Sequence, residues 1–227
     1  MEDSKEDPTS AESQERQHKY DAVVVLGAVM EFNDKTKSWG FPTIIEKYPG
    51  KLVEGKARAL AAREVQNLAP FILVTGGSDI NPETGQQDSR AAELANLITD
   101  RYNVPGEKVI PIGEVSGSST IGNVSDLVDY LKSHPEIIKS GKIAILSPKF
   151  QKERAEIMFD QNPFFAQQNI ELEWLIVEDI LEARHPLYKR WAGKVYGTPA
   201  AKINRRMEQK GVATLKAEQN KTLKGEN

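Results

Sequence analysis

The chain has no cysteine among its 227 residues and no long apolar run. The absence of cysteine excludes a disulfide framework and thiolate chemistry, and it fits a protein of the reducing cytoplasm. No apolar run approaches the roughly 20 residues that a membrane-spanning helix needs. Residues 1–19 also lack the apolar stretch of a secretion signal. We therefore expect a cytoplasmic protein with no transmembrane segment.

Neither sign of charge dominates the whole chain, but the two signs are unevenly distributed. Residues 184–227 hold 11 Lys and Arg against 3 Asp and Glu, a net of +8, which leaves −11 for the rest of a chain whose net charge is −3. A basic end on an acidic body is typical of proteins that bind nucleic acid or an anionic membrane. It is also typical of a solvated surface helix, and the few aromatic residues available to stack on bases favour this second interpretation.

The chain does contain short apolar runs that lead toward small or polar residues, a pattern typical of buried parallel strands. These runs are residues 22–26 before Gly27, 71–74 before Thr75, 109–110 before the stretch 113–123, and 143–146 before Ser147. A fifth strand is predicted at 171–177. Segments with helical composition or periodicity lie between the strands, at 52–68, 88–102, 120–133 and 150–160.

Strands that alternate with helices imply right-handed crossovers and a sheet covered on both faces. We therefore predict an α/β domain of three layers, with a mainly parallel sheet of about five strands flanked by helices. This domain is expected at 19–183, between a disordered tail at 1–18 and a basic helical extension at 184–227. Within it, residues 28–50 would form a long functional loop or an ordered excursion, and 79–85 a polar loop. Helix breaks are expected at 197–199 and at Gly211.

Ligands of open α/β sheets bind beyond the carboxyl ends of the strands, so polar and small residues there are candidates for a site. Gly76, Gly77 and Ser78 follow the second strand, where adjacent glycines would let backbone amides cradle a phosphate or carboxylate. An ordinary tight turn uses the same residues. Gly27 follows the first strand but stands alone, so the chain has neither a Walker loop nor a dinucleotide-binding fingerprint.

Two predicted helices begin at this edge of the sheet, and a helix N-terminus favours anions. One hydroxyl of the stretch 116–120 is expected to cap the first of them, while Thr120 and Asn123 are candidates for ligand contact. On the second, Arg154 would clamp a phosphate or carboxylate, unless it forms a surface ion pair with an acidic neighbour. Gln151 would exchange hydrogen bonds with a ligand but cannot shuttle protons at neutral pH.

Ser147 ends the fourth strand, where a nucleophile would be exposed. A nucleophilic serine needs a base, and none of His18, His134 and His185 has a spacing that argues for this role. Ser147 is therefore interpreted as a hydrogen-bond donor to a ligand.

Acid–base chemistry at this edge would fall to carboxylates on the loops. Asp79 and Glu114 are the candidate catalytic residues, and with Asp88 they would hold a divalent metal beside substrate phosphates, although their spacing is no metal signature. Trp39 and Phe41, in the long loop, would stack on a sugar or base as part of a lid, or would anchor that loop to the core.

Several of these segments, taken in order, resemble the YdcF/SanA/ElyC-like family, the domain of unknown function 218. The resemblance covers residues 21–160. The matching residues are Leu26 and Gly27; Lys56, Arg58 and Ala62; Thr75, Gly76 and Gly77; Glu114, Thr120 and Asn123; and Ser147, Phe150, Arg154 and Ala155. The departures are Gly117, Ser119 and Gly122, Arg90 near the place of an acidic residue, and Gln151 where the family has His.

The resemblance implies a Rossmann-like fold and a link to cell-envelope polymer or lipid-carrier metabolism, with S-adenosylmethionine as a ligand of at least one member. The leading hypothesis is a protein that binds a small anionic or nucleotide-like metabolite and acts on a phosphorylated or glycosylated envelope precursor, as a transferase or hydrolase. One alternative is a non-catalytic protein that binds S-adenosylmethionine or a nucleotide, which Gln151 favours. Another is an interaction module that uses the basic segment 184–227 on nucleic acid or a membrane.

Overall fold

A five-stranded parallel sheet forms the centre of the protein. The structure, a computed structural model, describes residues 18–41, 55–113 and 119–224. The strands in chain order are β1 (Ala22–Val25), β2 (Glu31–Asn33), β3 (Ser38–Gly40), β4 (Phe71–Thr75), β5 (Ser78–Ile80), β6 (Gln87–Ser89), β7 (Val109–Ile112), β8 (Lys142–Ser147) and β9 (Glu171–Ile176). The central sheet has the order β7-β4-β1-β8-β9, and each of its neighbouring pairs is parallel.

Helices connect the strands and cover both faces of the sheet. They are α1 (Gly55–Val65), α2 (Arg90–Asn96), α3 (Thr120–Ser133), α4 (Lys149–Asp160), α5 (Pro163–Gln167), α6 (Val177–Arg184), α7 (Pro186–Tyr196) and α8 (Pro199–Lys224). A short π-helix at Leu97–Arg101 continues α2, and 3₁₀ turns lie at Gly106–Lys108 and Pro135–Ile137. Among the described residues, none of the helices is both long and apolar enough to cross a bilayer.

The core has two halves, one on each face of the sheet. Successive side chains of a strand point to opposite faces, so Val23 and Val25 of β1 pack with α1, α2 and α6, whereas Val24 packs with α3, α4 and α5 on the other face. All residues of β1 are fully buried, which explains why the strand is an unbroken apolar run rather than an alternating one. The predicted α/β fold, with three layers and a Rossmann-like parallel sheet of five strands, is confirmed.

Asp21, just before β1, binds the turn before β8 at the end of the sheet where the parallel strands begin. Its carboxylate accepts hydrogen bonds from the backbone amides of Lys139, Ser140 and Gly141 at 2.8–3.0 Å and from the Ser140 hydroxyl at 2.9 Å. Burial alone would raise the pKa of Asp21, but the hydrogen bonds from Ser140, Lys139 and Gly141 outweigh it and hold the pKa below its ordinary value. The ionised side chain therefore joins the start of β1 to the turn before β8.

The structure defines two of the predicted loops more closely. The described part of the segment 28–50 contains the antiparallel hairpin of β2 and β3, in agreement with the expectation of an ordered excursion. In the segment 79–85 the prediction of a loop is wrong for Asp79 and Ile80, which belong to β5, and Asp79 pairs with Asp88 of β6 in a second hairpin. Their short, polar strands lack an apolar pattern, and a tertiary contact joins the hairpins, because the indole of Trp39 donates to the Asp88 carboxylate.

The predicted helix break at Gly211 is wrong. The helix α8 runs through this position, whereas the predicted break near Gly197 is present between α7 and α8. A Cβ at Gly211 would lie 3.3 Å from Cδ of Arg154 on α4, so the missing side chain leaves room for a close contact between the helices. This packing outweighs the low helix propensity of glycine. Residues 1–17 of the predicted tail lie outside the described residues.

Candidate functional site

A cavity of about 300 Å³ opens where the carboxyl ends of β1 and β4 meet the first turns of α3 and α4. In an open α/β sheet this is the edge at which ligands bind. The described residues around the cavity come from seven segments of the chain: Gly27, Ala28, Val29, Arg58, Gly76, Gly77, Arg90, Ser119, Thr120, Asn123, Phe150, Gln151, Arg154 and Glu208.

Two glycines allow the backbone segments after β1 and β4 to approach each other closely. A Cβ on Gly27 would lie 2.7 Å from the carbonyl oxygen of Thr75 and 2.8 Å from Cα of Gly76. The Gly27 amide donates to the Thr75 hydroxyl at 3.0 Å. A Cβ on Gly76 would in turn lie 2.9 Å from the backbone nitrogen of Ala91. Both positions therefore need glycine for close backbone packing at the floor of the cavity.

A chain of hydrogen bonds crosses the cavity wall from α1 to α3. Arg58 is buried, and its guanidinium donates to the carbonyl oxygens of Leu26 and Gly27, each at 2.6 Å, and to the amide oxygen of Gln151 at 2.9 Å. The amide nitrogen of Gln151 donates to the Thr120 hydroxyl at 3.3 Å. Gln151 is thus oriented by two hydrogen bonds, one that it accepts from Arg58 and one that it donates to Thr120. Through them it connects α4 to α1 and α3.

The N-terminus of α3 enters the same cavity. Ser119 is the N-cap, and its hydroxyl accepts from the Gly122 amide at 3.1 Å, so the predicted capping role of a hydroxyl in this stretch is confirmed. Thr120 and Asn123, both buried, follow in the first turn and line the cavity. The partial positive charge of the helix end therefore adds to that of the arginines.

Arg154 faces a carboxylate that was not among the expected partners. The sequence offered acidic neighbours on its own helix, but in the structure Arg154 Nε lies 2.6 Å from a carboxylate oxygen of Glu208 on α8. Burial raises the pKa of Glu208, and the charges of Arg154 and Arg58 counteract only part of this effect. The basic extension therefore contributes an acidic side chain to the cavity.

Arg90 brings a third guanidinium to the cavity, and Asp79 neutralises it. The two side chains form a paired contact, with Arg90 Nε 2.6 Å from one carboxylate oxygen and a second nitrogen on the other oxygen. Asp79 itself does not line the cavity, and neither does Ser78, its neighbour on β5. The structure thus shows Asp79 as the ion-pair partner of Arg90.

Ser147 lies apart from the cavity. It is fully buried at the end of β8, and its hydroxyl donates to the carbonyl oxygen of Pro148 at 3.3 Å. The N-terminus of the following helix is also occupied, since the backbone amide of Lys149 donates to both carboxylate oxygens of Glu178, at 3.0 and 2.9 Å. This end of α4 is closed by the protein's own carboxylate.

No histidine lines the cavity in the described part of the chain. The His134 ring stacks on Tyr130 and contacts its carbonyl oxygen, and His185 contacts Glu64 at 3.2 Å. Within the same described ranges, no group of three or more His, Asp or Glu side chains is arranged to hold a metal ion. The other candidate catalytic residue, Glu114, lies outside the described residues.

Most of the predicted ligand-contact residues come together in this one cavity. Those that line it are Gly27, Gly76, Gly77, Thr120, Asn123, Gln151 and Arg154. Sequence reasoning did not name Arg58, Arg90 and Glu208 as ligand-contact residues. The match of Arg58 to the family pattern was a usable signal, whereas nothing in the sequence indicated that Glu208 returns to α4.

A second, larger cavity of about 820 Å³ lies beside the β2–β3 hairpin. Its lining includes Trp39, Phe41 and Lys56, and residues 42–54, which are outside the described part, lie between the last two along the chain. Trp39 contacts Phe32 edge-on, and Phe41 is buried against Gly55, as expected of residues that anchor a loop. None of the predicted ligand-contact residues lines this larger cavity, so the cavity at the carboxyl ends of the strands is the candidate site.

Comparison with known proteins gives no relative for this chain: no family model, curated protein or solved structure matches it.

Proposed function

We propose that the cavity at the ends of β1 and β4 binds a small anionic or nucleotide-like metabolite. The observation that carries this proposal is the convergence of Arg58, Arg154 and the N-terminus of α3 on one space. Guanidinium groups and helix N-termini are two features with which proteins hold phosphates and carboxylates. An anion is therefore the ligand that this lining complements.

The balance of charge in the lining supports the same class of ligand. Three arginines and one glutamate of the described residues line the cavity. Asp79, just outside it, neutralises Arg90, and Glu208 neutralises Arg154. Among the described residues, the three guanidinium groups therefore outnumber the two carboxylates at and beside the cavity, and the N-terminus of α3 adds a partial positive charge. An anion that enters would meet this charge in a partly desolvated space, where charge–charge attraction is stronger than in water.

The size of the cavity limits the ligand. A volume of about 300 Å³ lies at the small end of ligand pockets. Such a space suits a phosphate or carboxylate together with part of a sugar or nucleoside. The resemblance to the YdcF/SanA/ElyC-like family supports two such ligands, a phosphorylated or glycosylated envelope precursor and S-adenosylmethionine.

The chemistry at Gln151 favours binding without catalysis over a transferase or hydrolase. Its amide is held between Arg58 and Thr120 and has no titratable proton near neutral pH. In the resemblance this position belongs to a histidine. The candidate acid Asp79 is engaged by Arg90, so among the described residues that line the cavity Glu208 is the one carboxylic acid.

A ligand screen tests this proposal. Thermal unfolding would be followed with pyrophosphate, adenosine diphosphate, S-adenosylmethionine, a sugar phosphate and a short polyprenyl phosphate, because a ligand that binds the native state raises the melting temperature by mass action. Affinities of the positive compounds would be measured by calorimetry. At least one of these compounds should bind through its phosphate or carboxylate group.

Two matched variants on α4 locate the site. Arg154→Met removes a guanidinium from the cavity and should weaken binding about 10- to 100-fold. Lys152→Met removes a cation from the same helix, where Lys152 pairs with Glu156 outside the cavity, and should leave the affinity within about twofold. No binding by any compound, or equal losses in both variants, would reject the site.

A further inference from the structure

The helix α8, which has seven Lys and Arg against two Glu, reaches the cavity through the acidic side chain of Glu208. Glu208 contacts Arg154 at 2.6 Å, and its side chain is only 18% exposed. Ala201 and Val212, on the same side of α8, are buried, whereas Arg206 and Lys210 on the opposite side are exposed. Glu208 therefore belongs to the docked face of the helix.

The contact between α8 and α4 is built around Arg154. Gly211 lies one turn after Glu208, and its missing side chain leaves room for the stem of Arg154, whose Cδ lies 3.3 Å from a Cβ built at that position. Farther along the helix, Lys216 pairs with Glu153 at 2.8 Å, but this ion pair is exposed and lies outside the cavity. Of the two ion pairs between α8 and α4, only Glu208–Arg154 therefore lies at the cavity.

We propose that Glu208 occupies the anion subsite of the cavity and that α8 is its displaceable cover. The inference rests on the proposed function, because it assigns Arg154 as the residue that takes the ligand's phosphate or carboxylate. A carboxylate of the protein and an anionic group of a ligand compete for one guanidinium, so the ligand binds only when Glu208 has left Arg154.

The chemistry of the contact makes this exchange feasible. A guanidinium binds carboxylate and phosphate oxygens with the same planar set of donors, so one anion replaces the other without moving Arg154. Burial raises the pKa of Glu208 and so disfavours its ionised form. This cost offsets part of the free energy that the ion pair with Arg154 contributes to the docking of α8. The exposed Lys216–Glu153 pair adds little to the docking of α8. The binding-competent state is therefore a minor state of the free protein.

The test compares two carboxylate-to-amide variants on either side of the same helix contact. Pyrophosphate would be titrated into the full-length wild type, Glu208→Gln and Glu153→Gln proteins. If one molecule in ten of the free wild type has Glu208 displaced, Glu208→Gln should bind pyrophosphate about tenfold more tightly. Glu153→Gln breaks the outer ion pair and should bind as the wild type does.

The outcomes separate this inference from the proposed function. If the wild type binds and Glu208→Gln binds equally or more weakly, the inference is overturned while the proposed function stands. An equal gain in Glu153→Gln would also overturn it, because this variant keeps the Glu208 carboxylate beside Arg154 and its gain would not come from an emptied subsite. If neither the wild type nor Glu208→Gln binds pyrophosphate, the inference is overturned, and the full ligand screen decides the proposed function.

Amide hydrogen exchange gives an independent measurement in the wild type. Pyrophosphate should speed exchange in α8 around residues 205–215, because the ligand displaces Glu208, and slower exchange there would overturn the inference. Should Glu208→Gln not fold, Glu208→Asp retains the charge on a side chain one carbon shorter. It should give a smaller gain in affinity, and an unchanged affinity would count against the inference.

Discussion

Arg58 and Gln151 lie 93 residues apart in the chain, and the guanidinium of the first donates to the amide oxygen of the second at 2.9 Å. This contact links α1 to α4, and through the Thr120 hydroxyl it extends to α3. Each of the three residues lies in the lining of the cavity. The shape of the candidate site therefore depends on the same hydrogen bonds that connect its helices.

The first prediction concerns Gln151. Gln151→Leu leaves a buried guanidinium without this acceptor and the Thr120 hydroxyl without this donor, so we expect a loss of about 1–3 kcal/mol in the free energy of unfolding. Gln151→His should lose less, because a neutral imidazole accepts through one nitrogen and donates through the other. Urea denaturation would measure both. Equal losses in the two variants would mean that the hydrogen bonds of Gln151 do not account for its contribution to the free energy of unfolding.

The histidine variant also tests the distinction between binding and catalysis. If the amide at position 151 is the reason that the protein binds its ligand without catalysis, Gln151→His should gain turnover. The substrate should be a compound that the wild type binds but does not convert. Product formation would be followed by chromatography after long incubation. Turnover by the wild type itself would contradict the non-catalytic interpretation.

The second prediction uses two glycines in different surroundings. Gly27→Ala places a Cβ 2.7 Å from the Thr75 carbonyl oxygen, so the backbone must shift, and we expect a loss of about 1–3 kcal/mol. Gly193→Ala, in α7, meets no atom within 4 Å and should gain up to about 1 kcal/mol from helix propensity. Both free energies would come from urea denaturation. A neutral Gly27→Ala would show that the two backbone segments have room to separate.

The third prediction concerns the pH dependence of stability. The pKa of Asp21 is lower in the folded protein than its ordinary value of 3.8, so the unfolded state binds more protons between these two values. The stabilisation is complete above pH 3.8 and is lost as the pH falls through the folded pKa. Asp21→Asn should cost about 2 kcal/mol at pH 7 and flatten the acid slope of stability. An unchanged slope would assign the acid sensitivity to other carboxyl groups.

The fourth prediction concerns the carboxylate that closes the N-terminus of α4. Glu178 is buried, and it accepts hydrogen bonds from the Lys149 amide and the Tyr196 hydroxyl. Glu178→Gln replaces an ionised acceptor with a neutral one at a helix N-terminus, and we expect a loss of about 1–2 kcal/mol in thermal or urea unfolding. Glu182→Gln, on the same helix, is the control and should change stability little. Equal effects would remove the capping role from Glu178.

The sequence predicts the parts of this protein whose structure is determined locally or by a simple period. The apolar run of β1 and the glycine after it indicate a buried strand and a close turn, and α3 begins at Thr120, where the pattern places it. These features follow from burial on both faces and from the need for an N-cap. The location of the candidate site is then predictable, because ligands of open α/β sheets bind beyond the carboxyl ends of the parallel strands.

The remaining features depend on contacts between distant segments. Glu208 reaches Arg154 from 54 positions farther along the chain, and no local pattern encodes that meeting. The hairpins β2–β3 and β5–β6 are short and polar, and the contact between Trp39 and Asp88 joins them. Gly211 is tolerated inside α8 because it packs against the side chain of Arg154 on α4. In each case tertiary packing outweighs the local preference.

The most direct test of the account is to locate a bound oxyanion in a crystal. Tungstate is a tetrahedral oxyanion whose anomalous scattering marks its position, and it would be added to crystals of the full-length protein. The account predicts a peak inside the cavity in contact with Arg154. Peaks confined to the exposed basic face of α8, at Arg206 and Lys210, with none in the cavity, would contradict it.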